Sequence, residues 1–122
     1  MIRGIRGATT VENNQAEEII NITTVLCKEI FSQNQIDPEN ISHVLISATK
    51  DIDAAFPAKA LRSLPGCKHV PVMCTQEIDV PGALEKCIRV MMVAETNAKQ
   101  EDVKHVFLNK AIKLRPDLVQ GE

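Results

Sequence analysis

Residues 87 to 94 read CIRVMMVA, and the arginine inside this apolar run is the first group in the chain that could do chemistry. A guanidinium stays charged at any accessible pH, and burying it without an anionic partner carries a heavy desolvation cost. Strand alternation puts Arg89 on one face with Cys87, Met91 and Val93, so its own strand offers no countercharge. Two solutions remain open: a bound anion, or an internal ion pair to Glu77 or Glu85. Arg6, in IRGIRGAT, is a second arginine in a strand-like stretch, where an exposed rim position is the alternative to a ligand contact. Lys59 and Arg62 lie close together on a short helical segment, and a solvated face explains them as well as a ligand does. Arg115 follows the last apolar stretch beside Pro116, in a tail of about 112–122 expected to be mobile. Several arginines converging on one polycarboxylate would be the expected arrangement for bidentate recognition.

The remaining reactive residue types offer less. Glu77, in MCTQEID, could accept a hydrogen bond from a ligand hydroxyl or be an ordinary charged loop residue. Cys74 has no base near it in sequence and reads first as a small buried apolar residue. The four cysteines show no CxxC spacing, which excludes the usual zinc patterns, and free thiols are expected. His43, His69 and His105 are single, and Asp51-Ile52-Asp53 reads as a surface turn rather than a metal-binding pair. Neither metal nor cofactor is therefore expected.

These residues must be positioned by a single domain, since 122 residues is near the commonest domain size. A net charge of -2 argues against a general polyanion binder, and an aromatic content of 2% leaves no stacking platform for bases. Nucleic acid is not an expected partner. No uncharged run approaches the roughly 18 residues of a membrane span, and the start lacks a signal-like apolar stretch, so a cytoplasmic protein is expected.

Alternation predicts a strand over 2 to 8, whose two glycines would permit close approach of another backbone. Apolar residues at helical spacing predict one long helix over 14 to 33, with Asn14 and Glu17 as a capping box. A short turn at Asp37-Pro38 leads to a strand over 42 to 49, and a short helix starts at Pro57 and ends before Pro65-Gly66. Strands follow at 69 to 74, where Pro71 suggests an edge, at 87 to 94, and near 105 to 111. The fold class is α/β (α+β): a mixed five-stranded sheet with one long helix and one or two short ones. One long helix cannot cover both faces of such a sheet, and strands as apolar as 44 to 48 and 87 to 94 read as buried on both sides. The uncovered face is therefore expected to meet another subunit in a homo-oligomer, with ligand pockets where the sheets pack.

The stretches IRGIRGATTVE, FPAKALR, VPVMCTQEIDV, KCIRVMM, HVFL and KLRPDL, in this order and spacing, closely resemble the monofunctional chorismate mutases of the trimeric α/β kind. The resemblance covers nearly the whole chain. It implies a homotrimer with a central pseudo-barrel of sheets, active sites at the subunit interfaces, and conversion of chorismate to prephenate without cofactor or metal. That Claisen rearrangement is a concerted intramolecular shift, so a nucleophile and a base are not required; holding the compact conformer and stabilising separated charge are. Arg89 then resembles the cation that meets the ether oxygen, Arg6 the ligand of the side-chain carboxylate, and Glu77 the acceptor for the ring hydroxyl, helped by Cys74 and its backbone. Phe56 and Leu114 would be apolar walls, with Ala58 and Val72 lesser ones. Lys59, Arg62 and Arg115 would offset the ring carboxylate at the entrance.

Two positions depart from the family pattern. Phe107 stands where a tyrosine is usual, which removes a hydroxyl and predicts weaker binding. Met73 replaces a small polar residue of the site strand. Two other readings keep the arginines: a non-catalytic trimer that binds carboxylate metabolites, and an imine or enamine hydrolase on a similar scaffold.

Overall fold

In a computed structural model, which describes residues 1–114, the chain begins with strand β1 (Ile2–Thr10) and then helix α1 (Ala16–Asn34). A single 3-10 turn at Pro38–Asn40 is capped by the Asp37 side chain, which accepts from the Glu39 N–H, and leads to β2 (Ile41–Ala48). Helix α2 (Ala58–Arg62), β3 (Val72–Gln76), β4 (Cys87–Glu95) and β5 (Val106–Phe107) follow, and a 3-10 segment runs over Asn109–Leu114. The strands form one five-stranded mixed sheet in the order β3-β2-β4-β1-β5. The β1/β4 and β2/β4 pairs are antiparallel, whereas β1/β5 and β2/β3 are parallel. β3 is an edge, in keeping with Pro71 just ahead of it, since a residue without an N–H is tolerated there.

α1 covers one face of the sheet. Its Ile19, Thr23, Leu26, Cys27 and Ile30 recur at helical spacing and are fully buried against Ile5, Val44, Ile46, Ile88, Val90 and Met92. On β4 the residues alternate from Ile88 onward: Ile88, Val90, Met92 and Ala94 are buried, while Arg89, Met91 and Glu95 are exposed and Val93 is half-buried. The expectation that β2 and β4 are buried on both sides therefore fails within one protomer, where Leu45 is 42% and Met91 38% exposed on the face away from α1. The cause is the shortage of helix: α1 and α2 lie on the same side, so nothing in the protomer shields the second face.

Several local expectations change. α1 starts two residues later than predicted and has no capping box; its N-cap is Gln15, without a side-chain cap bond. Asn14 instead reaches across to the 53–54 loop, accepting from the Asp53 and Ala54 N–H groups and donating to the Asp53 carboxylate. Glu18 rather than Glu17 turns back, accepting from the Glu12 and Asn13 N–H groups, and those bonds hold its carboxyl below the usual range. Gly7 makes room for side chains of α1 and not for another backbone: a Cβ there would lie 2.6 Å from Ile30 Cδ1. β3 begins three residues later than predicted, after Pro71, and the last predicted strand shortens to two residues because Asn109, at φ 55, turns the chain into the 3-10 segment.

Candidate active site

Strand register determines which side chains meet on the open face. Ala8 pairs with Arg89, Arg89 with Ser47, and Ser47 with Thr75, so one row crosses β1, β4, β2 and β3 with the arginine near its middle. Phe107 extends the row, because it pairs with Ala8 across β1/β5. The neighbouring row is apolar apart from its end: Arg6, Met91, Leu45 and Met73. A cavity of about 360 Å³ sits over both rows, with Arg6, Arg89, Glu77, Phe107 and Leu114 on its walls. Five of the predicted site residues thus come together from β1, the loop after β3, β4, β5 and the 3-10 segment.

The charged centre of the cavity is a pair. Glu77 lies just beyond β3, where its N–H donates to the Ala48 carbonyl at 3.0 Å, and its carboxylate folds back over the sheet. Glu77 Oε2 approaches Arg89 Nε at 3.4 Å and accepts a hydrogen bond from the Ser47 hydroxyl. Of the internal partners considered for Arg89, the structure selects Glu77. The Arg89 side chain is 51% exposed and Glu77 26%, so the guanidinium is open to the cavity as well as paired. Cys87, two residues before Arg89, is buried; burial pushes its thiol pKa up, against the opposing pull of the arginine. Asp51, the expected surface turn, accepts from the Lys86 N–H and from Thr49 Oγ1, and so ties down the start of β4.

Arg6 enters the cavity from β1, where its N–H donates to His105 Nδ1 at 2.9 Å. Phe107 is buried and packs with Ala8 and Ala111, with Leu114 against them. Ser47 and Thr75 are cavity residues that sequence reasoning missed. The available signal was parity: once Arg89 is placed, the polar residues opposite it on adjacent strands share its face, but locating them requires the register.

The other predicted site residues lie elsewhere on the protomer. Val72 and Cys74 pair with Val44 and Ile46 and pack on the main core, so their side chains do not reach this cavity. This follows from strand parity, which puts Met73 and Thr75 on the open face and their neighbours on the helix side. Ala58 is buried in α2, while Lys59 and Arg62 are exposed on it. Phe56, at 74% exposed, and Met73, at 64%, project into solvent. Arg115 lies outside the described residues. Among the described residues, no group of three or more His, Cys, Asp or Glu is placed to hold a metal ion, and no helix is long and apolar enough to cross a membrane.

Residues 2–118 match the family described as chorismate mutase type I. The chain belongs to that family. It is 53% identical to the chorismate mutase AroH of Bacillus subtilis over 118 residues, which is 97% of this chain and 93% of that protein. It is 41% identical to the chorismate mutase AroH of Thermus thermophilus over an alignment of 123 positions that covers 100% of both chains. A solved chorismate mutase from Clostridium thermocellum superposes with a TM-score of 0.86 at 50% identity, covering 88% of this chain and 96% of that one. The predicted sheet and helices are those of this family member.

Proposed function

We propose that this protein is a chorismate mutase that rearranges chorismate to prephenate, on the route to phenylalanine and tyrosine, at a site completed by a second copy of the chain in a homotrimer. The observation that carries the reading is the cavity's composition: two arginines, one carboxylate and apolar walls, in a volume suited to a small ligand. The reaction breaks the ether carbon–oxygen bond and forms a carbon–carbon bond in one cyclic movement of electrons, with no proton transferred. Negative charge grows on the ether oxygen as its bond lengthens. Arg89 stabilises that charge, and because it is already fixed on a strand it does so without reorganising. Arg6 holds the side-chain carboxylate, Glu77 accepts from the ring hydroxyl, and Phe107 and Leu114 exclude water and favour the compact conformer.

The second group of residues supports the shared site. Phe56, Lys59, Arg62 and the free backbone edge of β3 at Val72, Met73 and Cys74 are presented outward, away from the cavity of their own protomer. Brought against a neighbour's cavity, Lys59 and Arg62 offset the ring carboxylate and Phe56 closes an apolar wall. The exposed row of Met91, Leu45 and Met73 supplies apolar surface for sheets to pack, as in a pseudo-barrel. No sensor or hydrolase reading has an observation of its own to favour it.

The test uses mixed protomers. Wild-type protein should consume chorismate, followed by loss of its absorbance, far faster than the uncatalysed reaction, and should sediment as a trimer. Arg89→Ala and the Lys59→Ala/Arg62→Ala double variant should each be slow. Dissociated and reassembled together, they should regain activity above either parent, because some sites then combine an intact Arg89 with an intact Lys59 and Arg62. No regain on mixing would sink the shared site, and a wild-type rate equal to the uncatalysed one would sink the activity.

A further inference from the structure

Ser47 is absent from every role assigned above, yet it stands at the centre of the charged row. It pairs in register with Arg89 on one side and Thr75 on the other, and it lines the cavity. Its hydroxyl donates to Glu77 Oε2, the same oxygen that faces Arg89 Nε. Among the described residues, Ser47 and Arg89 are the side chains that meet this carboxylate.

A carboxylate and a guanidinium at this range prefer the bidentate form, in which two parallel N–H groups bind both oxygens. Approached from Nε, that form would occupy Nε and one terminal nitrogen of Arg89, a donor that a substrate oxygen needs. The Ser47 hydroxyl competes for Glu77 from β2, the strand between β3 and β4, and holds Oε2 at the approach to Nε. Oε1 then stays available to a ligand hydroxyl and the terminal nitrogens of Arg89 to a ligand oxygen. We infer that Ser47 is a positioning residue for the rearrangement, which keeps Glu77 from capturing the Arg89 guanidinium. The inference rests on the proposed roles of Glu77 and Arg89.

Its test is a double-mutant cycle read in kcat/KM with chorismate, accompanied by melting temperatures. Ser47→Ala should lower kcat/KM by roughly ten- to a hundredfold, the usual weight of a hydrogen bond to a charged group. Ser47→Thr, which keeps the hydroxyl, should recover most of that loss. In a Glu77→Gln background the Ser47→Ala change should have much less effect, since the carboxylate to be restrained is gone. Ser47→Ala at the wild-type rate, or equal losses in both backgrounds, would overturn the inference while leaving the role of Glu77 in place. Glu77→Gln at the wild-type rate would overturn the role of Glu77, and this inference with it. If Ser47→Ala fails to fold, Ser47→Cys, close in size but a weak donor, takes its place in the cycle with the same expected loss.

Discussion

Arg89→Ala should separate catalysis from stability more sharply than any other substitution in this chain. In the proposed mechanism the guanidinium supplies the donors to the developing oxyanion, and loss of one such preorganised donor costs about 2.7 to 4 kcal/mol of transition-state stabilisation, or roughly a hundred- to thousandfold in rate. Its contribution to folding is small. The Arg89–Glu77 contact is 3.4 Å long, with side chains 51% and 26% exposed, and solvent-screened pairs of this kind are worth at most about 1 kcal/mol. Glu77 also keeps its Ser47 donor after the change, so no carboxylate is stranded. For a domain of this length that amounts to a melting-temperature shift of about 4 °C or less. Chorismate consumption and thermal melting, measured on one preparation, check both halves. Arg89→Lys should also be slow, because a point charge on a flexible stem cannot reproduce the fork. An Arg89→Ala enzyme within a few-fold of wild type would refute the assignment. So would a rate loss matched by an equal loss of folded protein, since Arg89 would then be a structural residue.

Two further predictions concern the scaffold. Gly7→Ala should destabilise the protein by about 1 to 3 kcal/mol in urea denaturation, because overpacking a filled core has that cost. The new methyl would lie 2.6 Å from Ile30 Cδ1 and 3.2 Å from Leu26 Cδ1, both fully buried, and Ile30 is β-branched and slow to yield. A variant as stable as wild type would mean that α1 can lift off the sheet freely. The second is alkaline lability. Burial pushes the Cys27 thiol from an ordinary 9.0 to about 12. Between those values the unfolded chain releases the proton and the folded one keeps it, so stability present below pH 9 is lost as pH rises to about 12. The slope from this one group approaches about 1.4 kcal/mol per pH unit, and Cys27→Ala should flatten it even though the variant is less stable near neutrality. Equal pH slopes for the two proteins would contradict the argument.

Much of the fold was legible because two periods, 3.6 and 2, dominate the chain. The helix over 16 to 34 and the strands around Val44 and Val90 follow from apolar spacing alone. Boundaries failed where a side chain found a better partner than the pattern implied. Asn14 looks like a cap in sequence but binds the 53–54 loop, 39 residues away, which no local motif announces. The site was legible in its anomalies: Arg89 and Arg6 are conspicuous because they interrupt apolar strands. Glu77 could be named as a partner but not chosen over Glu85, because that choice depends on how β3 pairs with β2. Whether the Cys74 side chain faces the cavity or the core was hidden for the same reason: one step of parity decides it, and it packs on the core. Ser47 was invisible, since a serine in a strand means nothing until the row beside it is known.

The cost of placing an arginine in strand 87–95 also explains why one face of this sheet carries no helix. Under a second helix, the Arg89 guanidinium would be desolvated on folding, and the single contact to Glu77 would have to offset that penalty permanently. With the face left open, Arg89 remains half in water and the folded chain bears little of that cost. In the proposed trimer the neighbouring subunit walls the cavity but leaves it hydrated, so full desolvation would wait for the ligand, which in that reading is itself an anion. On the proposed reading water would leave as the negative charge enters, so the field around Arg89 would strengthen at the moment when charge must be stabilised. An apolar row of Met91, Leu45 and Met73 beside a charged row of Arg89, Ser47 and Thr75 suits that sequence of events. The first row gives the covering surface its adhesion, and the second stays hydrated until the cavity is filled.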